Sequence, residues 1–194
     1  MILQHSFYLE QDACEAARSL LGKTLVTCFH GLRTAGIITE AEAYMGVNDK
    51  ASHAYGGKRT QRNGTMYATG GTAYVYLCYG IHHLFNVVVR EAEVPHAVLI
   101  RAIRPIDGTE GMERRRPSAL KSTGGPGTLT QALGITVHHD GEDLTGQRIW
   151  IEDHGVRIPE DQVIVGPRIG VTYAKEDALL PYRYRIAPSH LHEQ

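Results

Sequence analysis

Apolar residues fall at helical spacing over residues 12–21, DACEAARSLL, and Gly22 stands where a glycine closes a helix, so an amphipathic helix is predicted to open the chain. Residues 34–44, TAGIITEAEAY, switch to alternation. Side chains on a strand repeat every second position, which puts Ile38, Glu40, Glu42 and Tyr44 on one face. Residues 47–71 are polar, glycine-rich and aperiodic, and read as a long loop with one helical turn near Met66. Loops of this length inside a compact domain are usually functional. Strand character returns over 72–79, TAYVYLCY, and 84–90, LFNVVVR; with Gly80 turning between them they form a hairpin with Tyr79 near its tip. Residues 97–103, AVLIRAI, are apolar enough for a central strand, in which the charge of Arg101 needs a partner. Short helices are expected over 107–116 and 128–133, the second capped by Thr128 and ended by Gly134. Residues 148–152, 163–165 and 168–173 supply further strand-like pieces. No repeat or linker marks a boundary. The expectation is therefore α+β: a single domain over residues 1–194, with a curved, largely antiparallel β-sheet, short flanking helices and a protruding β-hairpin.

Composition narrows the function classes. With 42% hydrophobic residues in 194 positions, a globular core is expected rather than disorder. The N-terminal stretch lacks the basic and apolar regions of a signal sequence, and no run is long and apolar enough to span a membrane. A soluble, non-secreted, cytoplasmic protein without membrane partners follows as the expectation. Cys14, Cys28 and Cys78 stand far apart and read as reduced thiols rather than a disulfide framework or zinc site. A net charge of −1 gives no global basic footprint, so nucleic-acid binding would depend on local patches. Two candidates exist, Lys58 with Arg59 and Arg62, and Arg114–Arg116 with Lys121.

Taken singly, the chemistry-bearing residues admit ordinary readings. Glu42 with Arg101 could be a structural ion pair, and Tyr44, Tyr74, Tyr76 and Tyr79 could be sheet aromatics chosen for packing. Alternation alone does not separate Glu40 from Glu42 as a candidate acid. The pairs His82–His83 and His138–His139 raise a metal-dependent hydrolase, but neighbours on a strand face opposite ways and no HExxH or CxxC spacing occurs, so no metal and no cofactor is expected. No lysine stands among these candidate residues, which argues against Schiff-base chemistry.

In order along the chain, TEAEAYMG, ASHAYGGKRTQRNGTMY, GTAYVYLCYG, FNVVV, VLIRAIRP, GGPGTLTQALGI and RIGV resemble the alkyladenine (3-methyladenine) DNA glycosylase family, over residues 3–188. The resemblance implies a monofunctional glycosylase that hydrolyses the bond between a damaged purine and its sugar in double-stranded DNA, acting as a monomer. It selects Glu42 as the base that activates the water nucleophile, with Arg101 and the backbone of Ile169 holding that water. It implies Tyr44, His53 and Tyr76 as stacking walls for the extruded base, and Asn86 as the residue that crowds the amino group of normal guanine. The His53 amide becomes the donor to the purine 6-position. Tyr79 becomes the intercalating wedge, with Ile81 and His82 beside it, and Lys58, Arg59, Arg62 and Met66 fall in a loop at the DNA surface. A damaged-DNA-binding module without catalysis would keep the wedge and the basic loop but would not need Glu42 or Arg101.

Overall fold

The computed structural model describes residues 1–117 and 123–188. The helix expected from the opening periodicity is α2 (Ala13–Leu20), preceded by a five-residue α1 (His5–Leu9) too short to show a period. Asp12 caps α2: its Oδ1 accepts from the N–H groups of Cys14 at 2.8 Å and Glu15 at 2.9 Å, and the Glu15 carboxylate accepts from the Asp12 N–H at 2.9 Å. Ala13, Ala16, Ala17 and Leu20 form the buried face.

Strands β1 (Thr24–Phe29), β2 (Leu32–Tyr44), β3 (Ala73–Cys78), β4 (His82–Val89), β5 (His96–Asp107) and β6 (Ile149–Glu152) lie in the order β3-β4-β5-β2-β1-β6, all antiparallel. A short pair, β7 (Val163–Gly166) and β8 (Arg183–Ile186), completes the sheet, with β8 joining β2. The 13-residue β2 is the hub. Its first half pairs with β1, its second half pairs on the same edge with β8, and its other edge is covered by β5. The α+β expectation of a curled, single-domain sheet with a hairpin and short helices matches this architecture.

The sheet is buried on both faces where it matters. One face meets α2 and α4 (Pro126–Leu133) through Leu20, Phe85, Val87, Ile100, Leu129 and Leu133. On the other, Tyr74, Val88 and Ala97 pack with Ala54, Met66 and Tyr67 from the long loop. Alternation along β3 and β4 therefore separates two apolar layers, and the unbroken run LFNVVV contributes to both.

Several expectations are corrected. Ile38 does not share a face with Glu40 and Glu42: it packs in the main core with Ala41 and Ala43. The β2–β5 register shifts on either side of Glu40, passing over Thr39 on β2 and Arg101 on β5, and each shift resets the alternation. The helix α4 is not capped by Thr128, which lies inside it; Gly125 precedes it and Pro126 occupies its first turn, where a missing N–H costs nothing. Gly134 does close it, in a left-handed conformation at φ +76°. Residues 168–173 are not a strand, since Thr172–Leu179 forms a 3₁₀ segment. His138 and His139 lie on a 3₁₀ turn rather than a strand, where His139 stacks on Phe29. The long loop holds three short 3₁₀ turns, Gly46–Asn48, Tyr55–Gly57 and Gly64–Tyr67, rather than one.

The second basic cluster sits on α3 (Thr109–Arg115) and just past its end. Arg115 donates to Thr34 Oγ1 and to the Ala132 carbonyl, tying this helix to β2 and α4; Lys121 lies outside the described residues. Among the described residues no helix is long and apolar enough to cross a membrane.

Candidate active site

Beyond the double register shift, β2 turns Glu40, Glu42 and Tyr44 toward the face opposite the main core. Glu42 has no exposed surface. Its Oε1 accepts the Ile169 backbone N–H at 2.8 Å, and its Oε2 accepts the Tyr44 hydroxyl at 3.1 Å and an Arg101 N–H at 3.2 Å. Burial pushes the Glu42 carboxyl above the ordinary glutamate range, while Arg101, the Ile169 N–H and the Tyr44 hydroxyl pull it back. Burial and the nearby Glu42 charge both push the Tyr44 hydroxyl well above its usual value, so it stays protonated and donates.

Arg101 spans both acids, giving its Nε to Glu40 at 3.0 Å and its terminal nitrogen to Glu42. Glu40 receives a second guanidinium, the Arg183 Nε, at 2.7 Å. The two carboxylates that alternation left equivalent are therefore in different settings. Glu40 is braced between two arginines, whereas Glu42 is buried and joined to an aromatic ring that lines a slot.

That slot, about 40 Å³, is lined by Tyr44, His53, Tyr74, Tyr76, Asn86, Met66 and neighbours. His53 is locked against its far wall: its Nδ1 shares a hydrogen bond of 2.8 Å with the Tyr74 hydroxyl, and its ring meets Tyr76 edge-on at 4.7 Å. Burial and the adjacent Arg62 and Lys58 lower the His53 pKa, which keeps the ring neutral near pH 7. The Asn86 amide donates to the Tyr74 carbonyl at 3.0 Å, fixing its orientation from below.

Tyr79 stands at the hairpin tip, 92% exposed, with φ +51° followed by Gly80 at +73°. A non-glycine residue in the left-handed region stores strain that the surrounding turn must hold. Ile81 is also exposed, and His82 turns its ring onto α4, where a Cβ on Gly127 would come within 2.9 Å of it. The basic loop lies on the same side. Arg59 pairs with Glu93 at 2.6 Å on the surface, Arg62 lies over the Tyr76 ring at 5.3 Å, and Lys58 is exposed. Asn63 ties the loop down by donating to the His53 and Lys58 carbonyls.

The residues singled out from sequence thus fall into three neighbouring groups: Glu42, Tyr44, Arg101 and Ile169; His53, Tyr76 and Asn86; and the hairpin tip with the basic loop. Met66 is the exception. It is 2% exposed and lines the slot, not the outer surface expected of it, because its side chain turns inward to pack with Tyr67 and Ala54. Sequence reasoning also missed a buried ion pair behind Tyr44, in which Arg168 donates to Asp49 and to the Ala43 carbonyl at 2.8 Å. The Arg168 guanidinium lies 4.8 Å from the centre of the Tyr44 ring and holds it from the rear. Its only sequence signal was its place directly before Ile169.

Residues 6–190 match the family model described as methylpurine-DNA glycosylase. A protein of Chlamydia felis (strain Fe/C-56) is 46% identical over 95% of this chain and 96% of its own length. One of Bacillus thuringiensis (strain Al Hakam) is 42% identical over 92% of each. Both bear the name "Putative 3-methyladenine DNA glycosylase". With that agreement running nearly end to end, the chain belongs to the methylpurine-DNA glycosylase family, hydrolytic enzymes that cut N-glycosidic bonds in DNA.

Proposed function

We propose that the chain flips damaged purines out of duplex DNA and hydrolyses their N-glycosidic bond, with 3-methyladenine, 7-methylguanine, hypoxanthine and ethenoadenine as substrates. The observation that carries this reading is the fully buried Glu42, hydrogen-bonded to Tyr44 at the wall of an aromatic slot. Water gives a proton to the Glu42 carboxylate as its oxygen bonds to the anomeric carbon; the glycosidic pair leaves with the base. An N-alkylated purine carries a positive charge that this pair neutralises, so its departure requires no acid; neutral hypoxanthine or ethenoadenine leaves as an anion and takes up on a ring nitrogen the proton that the water gave up. Glu42 also opposes the positive charge developing on the sugar, as a carboxylate does in glycoside hydrolysis. Arg101 and the Ile169 N–H fix the carboxylate and orient the water.

A flat base enters the slot between Tyr44 and the His53–Tyr76 wall. Stacking on aromatics is worth about 1–3 kcal/mol per base, of the same order as the cost of unpairing and unstacking a nucleotide. A wedge that fills the vacated stack is therefore needed, and Tyr79 takes that part from the minor groove. Asn86 crowds a purine 2-amino group, and the His53 backbone N–H offers a donor that a 6-amino group cannot accept, which penalises guanine and adenine; 7-methylguanine and 3-methyladenine meet the same penalty, and their cationic rings offset it by weakening the glycosidic bond. Lys58, Arg59 and Arg62 meet phosphates; the exposed Arg59–Glu93 pair is of a kind worth little, so exchanging Glu93 for a phosphate costs little.

The direct test is incubation with duplexes each bearing one lesion, with and without chelator, followed by hot-alkali scission. Release of free base leaving an uncut abasic strand supports the reading, and no release from any of them refutes it. Two further outcomes are expected. Because the folded-state pKa of Glu42 is raised, its base form is lost as pH falls through a value above the ordinary glutamate range. Single-turnover excision of 7-methylguanine should show its acid limb there, and a rate that stays flat down to the usual glutamate range would remove Glu42 as the base. Tyr79→Ala should weaken flipping about tenfold, read as a smaller fluorescence change when ethenoadenine DNA is bound; an unchanged signal would deny the wedge.

A further inference from the structure

Outside the base slot a second cleft, about 620 Å³, runs along the long loop and shares His53 and Tyr173 with the slot. Its lining combines cations of the basic loop with two exposed aromatic faces that the excision chemistry leaves unused. Tyr55 is 47% exposed and Tyr173 64% exposed. The same lining holds the cations Lys58 and Arg62, which have no carboxylate partner among the described residues, and Lys50, which is paired with Glu176. Tyr173 is anchored, its hydroxyl donating to the Ala51 carbonyl at 3.0 Å. Tyr55 begins a 3₁₀ turn followed by two glycines in the left-handed region, and it is not part of the slot.

A cationic cleft flanked by exposed aromatic faces suits unpaired nucleic acid: the cations follow the sugar-phosphate chain, and any base can lie on a ring, whatever its sequence. Duplex DNA keeps its bases stacked on each other and offers such rings nothing. We infer that this cleft is a single-strand subsite, in which Tyr55 stacks the unpaired base next to the lesion while Lys58 and Arg62 hold the intervening phosphate. The inference rests on the proposed excision activity and extends it to damaged purines in single-stranded DNA, where no partner base has to be displaced and Tyr79 is not required.

The test compares kcat/KM for ethenoadenine in a single-stranded oligonucleotide and in the matching duplex, for the unaltered protein and for Tyr55→Ala, Tyr55→Trp and Tyr79→Ala. The expected result is measurable single-strand excision that falls about tenfold in Tyr55→Ala, as the loss of one stacked base implies, and is restored in Tyr55→Trp. Duplex excision by Tyr55→Ala stays within about twofold, and Tyr79→Ala lowers duplex excision alone. Duplex excision without single-strand excision would overturn the subsite and leave the proposed function standing. So would equal losses on both substrates in Tyr55→Ala, or an unchanged single-strand rate. Failure on both substrates by the unaltered protein would overturn the subsite and remove ethenoadenine from the proposed substrates, leaving the proposed function to the other three lesions.

Discussion

Glu42→Gln is expected to abolish excision in single-turnover assays while binding of lesion DNA is retained. General base catalysis contributes about 10²- to 10⁴-fold, and the charge that opposes the sugar cation is lost with it, so the decrease should reach at least that range. Glutamine keeps the shape, and its carbonyl oxygen can still accept from the Ile169 N–H while its amide nitrogen donates to the Tyr44 hydroxyl oxygen. Arg101 keeps Glu40 as its partner, so no cation is stranded. Burial already disfavours the Glu42 charge in the folded state, and a neutral replacement should leave the melting temperature unchanged or raised. Glu40→Gln is the control. Glu40 is held by two arginines away from the slot, so this change should preserve most of the activity and cost stability instead. Excision that survives Glu42→Gln and disappears in Glu40→Gln would reassign the base.

Asp49→Ala should be the most destabilising single change at the site. The Arg168 and Asp49 side chains are 0% and 1% exposed, and Asp49 also accepts the backbone N–H groups of Met45 at 3.0 Å and Ala51 at 2.9 Å. Removing the carboxylate leaves a buried guanidinium without its counter-charge, a loss of about 3–5 kcal/mol for pairs of this kind. Arg168 also backs the Tyr44 ring, so the surviving folded protein should bind lesion DNA less tightly. Urea unfolding gives the first effect and fluorescence titration with ethenoadenine DNA the second. A midpoint shift equivalent to less than about 1 kcal/mol would mean that Arg168 finds another partner or water.

What could be read from the residues, and what could not, divides along a physical line. The capped helix after Asp12, the hairpin ending in Tyr79 and the central strand around Arg101 each declare themselves in a local period or turn, and all three are present. The phase of Ile38 was invisible because a register shift exists only between strands, and the passed-over Thr39 looks like any other strand residue until β5 is beside it. Met66 sits among polar neighbours and reads as surface; tertiary packing against Tyr67 and Ala54 decides otherwise. The short β8, RYRI, carries two arginines in four residues and resembles exposed chain, yet it covers the edge of β2 beside Glu40 and Glu42. The site residues came mainly through the family resemblance, since alternation by itself left the two acids equal. Asp49 and Arg168 lie 119 positions apart in aperiodic segments, and nothing local joins them.

The left-handed bend at Tyr79 bears on how such an enzyme finds rare targets. A tip whose backbone is already set in its final shape can press on one base step after another without rearranging, so the time spent at each step depends on how readily the DNA yields. Weakened steps, where pairing or stacking is impaired, would give way first. Search along a chromosome then becomes a mechanical survey, in which sound DNA is passed over because it resists being opened.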